Sequence, residues 1–84
     1  MKFQVEFVYE RDSEAYVFAR QQEAGDFSLS PTSRFGGAAI RPAVSQPRKI
    51  RPDGTPDLDI FAFILADRGD IEKFHGGQIV ELHQ

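Results

Sequence analysis

Apolar and polar residues alternate through the first nine positions. Phe3, Val5, Phe7 and Tyr9 share one parity; Lys2, Gln4, Glu6 and Val8 share the other. A period of two, built from aromatic and β-branched side chains, predicts a half-buried strand with Phe3, Val5, Phe7 and Tyr9 on one face. Glu10-Arg11-Asp12-Ser13 is a polar turn, and Glu14 to about Gln22 follows as a second strand. Ala, Glu and Gln suit a helix there, but the Tyr16-Val17-Phe18 centre and the short connection favour a hairpin. Gly25-Asp26 turns the chain into a third short strand, Phe27 to Leu29. Pro31 stops it, because proline lacks the amide proton that a ladder needs. Phe35 to Ile40 reads as extended chain, with Gly36-Gly37 marking a bulge or a sharp corner.

The middle of the chain breaks this rhythm. Pro42, Pro47, Pro52 and Pro56 exclude a long helix, and Asp53-Gly54 is a turn signal. The expectation is a long surface loop over about 41–57, with a short edge strand near Lys49–Arg51. Leu58 to Ala66 is the most apolar stretch: Leu58, Ile60, Ala62 and Ile64 on one face, Phe61, Phe63 and Leu65 on the other. A strand apolar on both faces is central and covered on both sides. Asp70 is placed to cap a short helical turn near 70–74, with Ile71 and Phe74 spaced i, i+3 toward the core. Gly76-Gly77 then leads into a last strand, Gln78–Leu82. Six short strands without a long amphipathic helix predict an all-β protein: a small six-stranded β-barrel, one domain over residues 1–84. Closure hides the sheet edges that a small all-β chain must otherwise protect.

Composition sharpens this picture. With 40% hydrophobic and 27% charged residues, the chain is globular rather than disordered. The absence of cysteine removes disulfides, Cys-ligated metal and thiol catalysis together. No apolar run approaches the roughly 20 residues of a membrane-spanning helix. Acidic residues among the first apolar ones argue against a secretory signal, so a cytoplasmic protein without membrane contact is expected. The net charge of −3 hides an uneven layout. Residues 27–52 carry Arg34, Arg41, Arg48, Lys49 and Arg51 and no acid, between two acidic flanks.

The last third carries a resemblance. Phe63-Ile64-Leu65-Ala66-Asp67-Arg68-Gly69-Asp70-Ile71 runs into Gly76-Gly77-Gln78-Ile79-Val80-Glu81-Leu82. This resembles the closing portion of the β-barrel domains of elongation factor Tu and its relatives. Gly25, Phe27 and Leu29 match a second frame of that family, although Ser30-Pro31 stands where a Gly-Asp pair is expected. Arg11-Asp12-Ser13-Glu14 replaces the family's Gly-Arg-Gly. The resemblance covers about half the chain. It implies a barrel without catalysis that contacts RNA, ribosome or a neighbouring domain. The chain has no Gly-x-x-x-x-Gly-Lys-[Ser/Thr] loop for nucleotide hydrolysis.

Arg41, Arg48, Lys49 and Arg51, on the proline-stiffened loop, are the candidate partner-binding residues. Guanidinium groups there suit phosphates or carboxylates. The competing reading is a solvated loop that balances the acidic remainder. His75 and His83 would make a metal site only by converging with Glu72 or Glu81, and nothing in their spacing requires it. No metal and no cofactor are expected. Asp67, Asp70 and Glu72 read as cap and turn residues rather than an acid–base set. Ser28, Ser30 and Ser33 lack a nucleophile elbow, and Phe61, Phe63 and Phe74 read as core rather than pocket lining. The expected function is therefore that of a binding module, not an enzyme, whose basic loop meets a protein partner or structured RNA. A homodimer would suit so small a core. The alternative is an acidic inhibitor or immunity-type protein, using Asp53, Asp57, Asp59 and the first hairpin to cover a basic site on a target.

Overall fold

The computed structural model describes residues Met1–Gln84. Six strands are joined by one 3-10 helix: β1 (Lys2–Arg11), β2 (Glu14–Gln21), β3 (Arg34–Phe35), β4 (Ala38–Ser45), β5 (Ile60–Leu65), the helix Arg68–Lys73 and β6 (Ile79–His83). They close into a barrel in the order β1-β2-β5-β4-β3-β6, every neighbour antiparallel. The all-β barrel read from the periodicity is the fold observed. No helix is long and apolar enough to cross a membrane.

The interior is aromatic. Phe3 lies at its centre, edge-on to Phe27, Phe35 and Phe63 at centroid distances of 5.4, 5.7 and 5.1 Å. Phe35 stacks on Phe63 at 4.3 Å. Edge-to-face and offset pairs satisfy the ring quadrupoles, so the fully buried phenylalanines fill volume and fix one another's orientation. Phe63 and Phe74 belong to the core cluster, and Phe61 packs against it half-buried. Phe74 follows the 3-10 helix and faces Phe35 across one end of the barrel.

Four local expectations change. The first is the facing of β1. Phe3 and Val5 are buried, but Phe7 and Tyr9 are each 48% exposed, while Val8 packs on the core. The register explains this: Val5 opposes Ala19, yet Phe7 opposes Phe18, so Glu6 is an extra residue in β1. A bulge inserts one residue and exchanges the faces beyond it.

The second change is the strand expected at Phe27–Leu29. Those residues pair with nothing, and their side chains pack on the core from the connection between β2 and β3. The strand count is kept because Gly36-Gly37 divides the extended segment into two strands. Phe35 opposes Ala38, and both glycines have positive φ, 56° and 83°, the two-residue turn that matches strand twist.

Third, the segment over 41–57 is less irregular than expected. β4 runs on to Ser45, with Pro42 inside it. Proline is tolerated because Ile40 pairs with Leu65 and Val44 with Phe63, which leaves 41–43 in a register break where no ladder donor is required.

The helix differs as well. Its cap is Asp67, which accepts from the Gly69 amide at 2.9 Å, and Asp70 instead pairs with Lys73 in the helix itself. An acid two residues before the helix's second residue meets its free amides; one inside the turn does not.

Two substitutions test this description. Asp12 and Ser13 occupy the β1–β2 turn at φ 51° and 66°, a conformation costly for serine. Ser13→Gly should raise stability by about 0.5–1 kcal/mol in denaturant unfolding. Conversely, a Cβ on Gly76 would lie 2.9 Å from the Glu6 carbonyl oxygen, a backbone atom held by the bulge. Gly76→Ala should cost about 1–3 kcal/mol in the same assay.

Candidate functional site

The proline-rich segment beyond β4 is an ordered ribbon. Ile50 bridges to Pro56, the Asp57 amide donates to Lys49 O at 2.8 Å, and the Arg51 amide donates to Thr55 O at 2.8 Å. At the tip, the Gly54 amide donates to Arg51 O at 2.9 Å across Pro52-Asp53. Pro at the second position and a glycine with φ of 87° after the turn suit a type I turn followed by a left-handed residue. The Asp53 carboxylate accepts from the Thr55 amide and hydroxyl, which lowers its pKa below the ordinary range. The Gln46 side-chain amide donates to Leu58 O and closes the base.

One arginine of the barrel wall anchors this ribbon. Arg20 projects outward from β2, and its Nη1 and Nη2 each donate to one oxygen of Asp57 at 2.9 Å. Its Nε and Nη2 also donate to Glu6 Oε1, at 3.3 and 3.0 Å. The two-pronged geometry orients Asp57, whose side chain is only 5% exposed. Hydrogen bonding by Arg20 holds the Asp57 carboxyl below the usual carboxylate range, against the opposing effect of burial. The arginine is in turn held further toward its charged form, first by Asp57 and then, over the effect of burial, by Glu6. Arg51 adds a contact to Asp59 at 3.1 Å and a longer one to Asp57 at 3.8 Å.

The four basic residues singled out from the sequence separate into two pairs. Arg41 sits on β4, with Nη1 2.7 Å from Glu14 Oε1, and Arg51 is taken up by Asp59. Arg48 and Lys49 have no acidic partner within ion-pair distance and are exposed. They border a shallow cleft of about 290 Å³ that runs from Gln46 and Pro47 to Pro56 and Leu58. Two large apolar side chains flank them: Ile50 is 65% exposed and Leu58 60%. The arrangement is a stiff ribbon presenting two free cations beside two apolar groups, able to hold an anionic group and cover a hydrophobic one together.

The other candidate residues disperse. His75 is exposed in the loop before β6, His83 pairs with Arg34 in the β3–β6 ladder, and no three His, Asp or Glu side chains gather as a metal site would require. Ser30 and Ser33 form a turn: the Ser30 amide donates to Ser33 Oγ at 2.8 Å, and the Ser33 amide donates to Ser30 O at 3.0 Å. Reasoning from the sequence missed Arg20, Glu6 and the apolar flank of the ribbon. Isoleucine and leucine beside prolines in a polar segment were the visible signal for the flank. No protein-family model, curated protein or solved structure matches the chain.

The lowered Asp57 pKa has a consequence for acid unfolding. In the unfolded chain Asp57 titrates near its ordinary value of about 3.9, so there it takes up a proton first. Its contribution to stability is complete above that pH and is lost as pH falls through the lower folded value. Asp53 acts in the same direction. Denaturant unfolding measured from pH 5 down to pH 2 should show stability falling with pH, with a shallower fall for Asp57→Asn than for the unsubstituted chain.

Proposed function

We propose that the chain is a non-catalytic binding module, a barrel similar to those of translation factors, that holds a protein partner through the ribbon 46–58. One observation carries this reading: Arg48 and Lys49, free of internal acids, lie beside exposed Ile50 and Leu58 on a pre-ordered ribbon. A surface of mixed charge and apolar area fits an acidic, partly hydrophobic protein face better than it fits a phosphate backbone. Phosphate binding rewards a run of free cations, and here Arg41 and Arg51 are occupied by Glu14 and Asp59. The prolines and the tip turn limit the entropy lost on docking.

The carboxylates support the same reading. Asp57 and Asp59, two of the carboxylates that a target-covering inhibitor would use, are engaged by the chain's own Arg20 and Arg51, as Glu6 and Glu14 are by Arg20 and Arg41. Asp53 and Asp57 are both held toward the ionised form, the reverse of what a general acid needs.

Capture from cell extract with three forms of the chain tests the proposal. The unsubstituted chain should retain one stoichiometric protein. Arg48→Glu with Lys49→Glu should reduce its retention about tenfold or more, as should Ile50→Ser with Leu58→Ser. Structured RNA would be released by the charge reversal and indifferent to the loss of the apolar pair. Full retention by both variants would show that the ribbon is not the contact.

A further inference from the structure

The barrel is closed, but β1 is longer than its partner on one side. β6 pairs only with Lys2, Gln4 and Phe3 between them. The Val5 amide and carbonyl then meet Gln78 O and the Gly77 amide. From Phe7 to Arg11, β1 has β2 on one side and no strand on the other.

The direction of the free polar groups follows from two bonds. The Gln22 amide donates to Lys2 O, and the Gln21 amide donates to Asp59 O. Even-numbered residues of β2 therefore face β1, and odd-numbered ones face β5. Their β1 partners are Phe7, Tyr9 and Arg11, opposite Phe18, Tyr16 and Glu14. The amides and carbonyls of Val8 and Glu10 consequently point outward from the sheet. No turn, loop or side-chain hydrogen bond of the chain reaches them.

Open edges are ordinarily blunted. The other one, Arg41–Ser45 of β4, carries Pro42 and a register break. The Phe7–Arg11 edge begins at the Glu6 bulge and carries Glu10 and Arg11, but it has no proline or lysine, its ladder is regular from Phe7 onward, and it presents Phe7 and Tyr9, both half-exposed.

We propose that this edge pairs with the same edge of a second copy of the chain, antiparallel about a two-fold axis through Tyr9. The edge is complementary to itself, and its sequence selects one register of that self-pairing. Opposing Val8 or Glu10 to an odd-numbered residue leaves the outward groups unmet, since the odd residues bond to β2. Opposing Val8 to Val8 places Glu10 against Glu6 of the other copy, and opposing Glu10 to Glu10 sets two like charges together; both are unfavourable directly across a ladder. Opposing Val8 to Glu10 avoids each clash. It forms four backbone hydrogen bonds, sets Tyr9 against Tyr9, and places the Arg11 guanidinium against the ring of Phe7 twice over, a cation–π pairing. The contact is isologous, so it closes at two copies. It uses the first hairpin and leaves the ribbon 46–58 free.

The absence of native cysteine makes the register measurable. At the proposed axis Tyr9 opposes its own copy, within the Cα separation that a disulfide spans. Phe7 lies about 14 Å from its own copy, four residues along the ladder. Under mild oxidation Tyr9→Cys should form a covalent dimer and Phe7→Cys should not. Sedimentation of the unsubstituted chain should show mass rising toward twice the monomer as concentration approaches about 1 mM, the weak end of specific association. Glu10→Pro removes an outward amide without touching the β1–β2 ladder, so it should keep the barrel's far-ultraviolet spectrum and remain monomeric. A chain monomeric throughout that range would overturn the proposal. So would a dimer undiminished in folded Glu10→Pro, or crosslinking as efficient at Phe7→Cys as at Tyr9→Cys.

Discussion

The extra residue at Glu6 constrains most of what surrounds it. Without it, β1 would keep one facing throughout, and Phe7 and Tyr9 would compete with Phe3 for a barrel interior already filled by Phe35 and Phe63. The bulge sends them outside and admits the smaller Val8. It also turns the Glu6 carboxylate toward Arg20, which in turn holds Asp57 and so the base of the ribbon. On its other flank the Glu6 carbonyl lies so close to Gly76 that only a residue without a side chain fits. A single inserted residue thus links the packing of the core, the facing of the first hairpin and the position of the ribbon.

The Arg20–Asp57 pair is better understood as a positioning device than as a source of stability. Withdrawing a carboxylate from water costs much of what its partner returns. What the two-pronged contact supplies is direction: both guanidinium nitrogens must meet both oxygens, so the ribbon leaves the wall at one angle. The tip is fixed separately by Pro52, Gly54 and the Asp53–Thr55 contacts. Base and tip are therefore both held, and Arg48, Lys49, Ile50 and Leu58 are presented from a fixed frame.

Legibility in the sequence followed the range of the interactions. The alternating β1 and β2, the doubly apolar β5 and the glycine-led β6 were all readable, because strand period and turn chemistry are local. The number of strands came out as six through one loss and one gain: Phe27–Leu29 failed to pair, and Gly36-Gly37 made two strands of one. The bulge was not readable, since Glu6 is an unremarkable residue in an alternating run and only the register with β2 exposes it. For the same reason the candidate surface was half legible. Arg48 and Lys49 stand free as a basic loop suggests, but Arg41 and Arg51 meet Glu14 and Asp59, and Glu14 lies 27 residues away in sequence from its arginine.

The pairing of β1 with β6 bears on how the chain acquires its shape. Phe3 is the hub of the aromatic interior, yet its strand neighbour Val80 lies near the other end of the sequence. Contacts of such sequence separation close slowly, because loop entropy is spent before they form. During synthesis the first hairpin emerges early and waits with one side unmatched until β6 is made. Closure of the barrel therefore waits on β6, and until then the side of β1 that will meet Val80 is an open edge beside an uncovered Phe3.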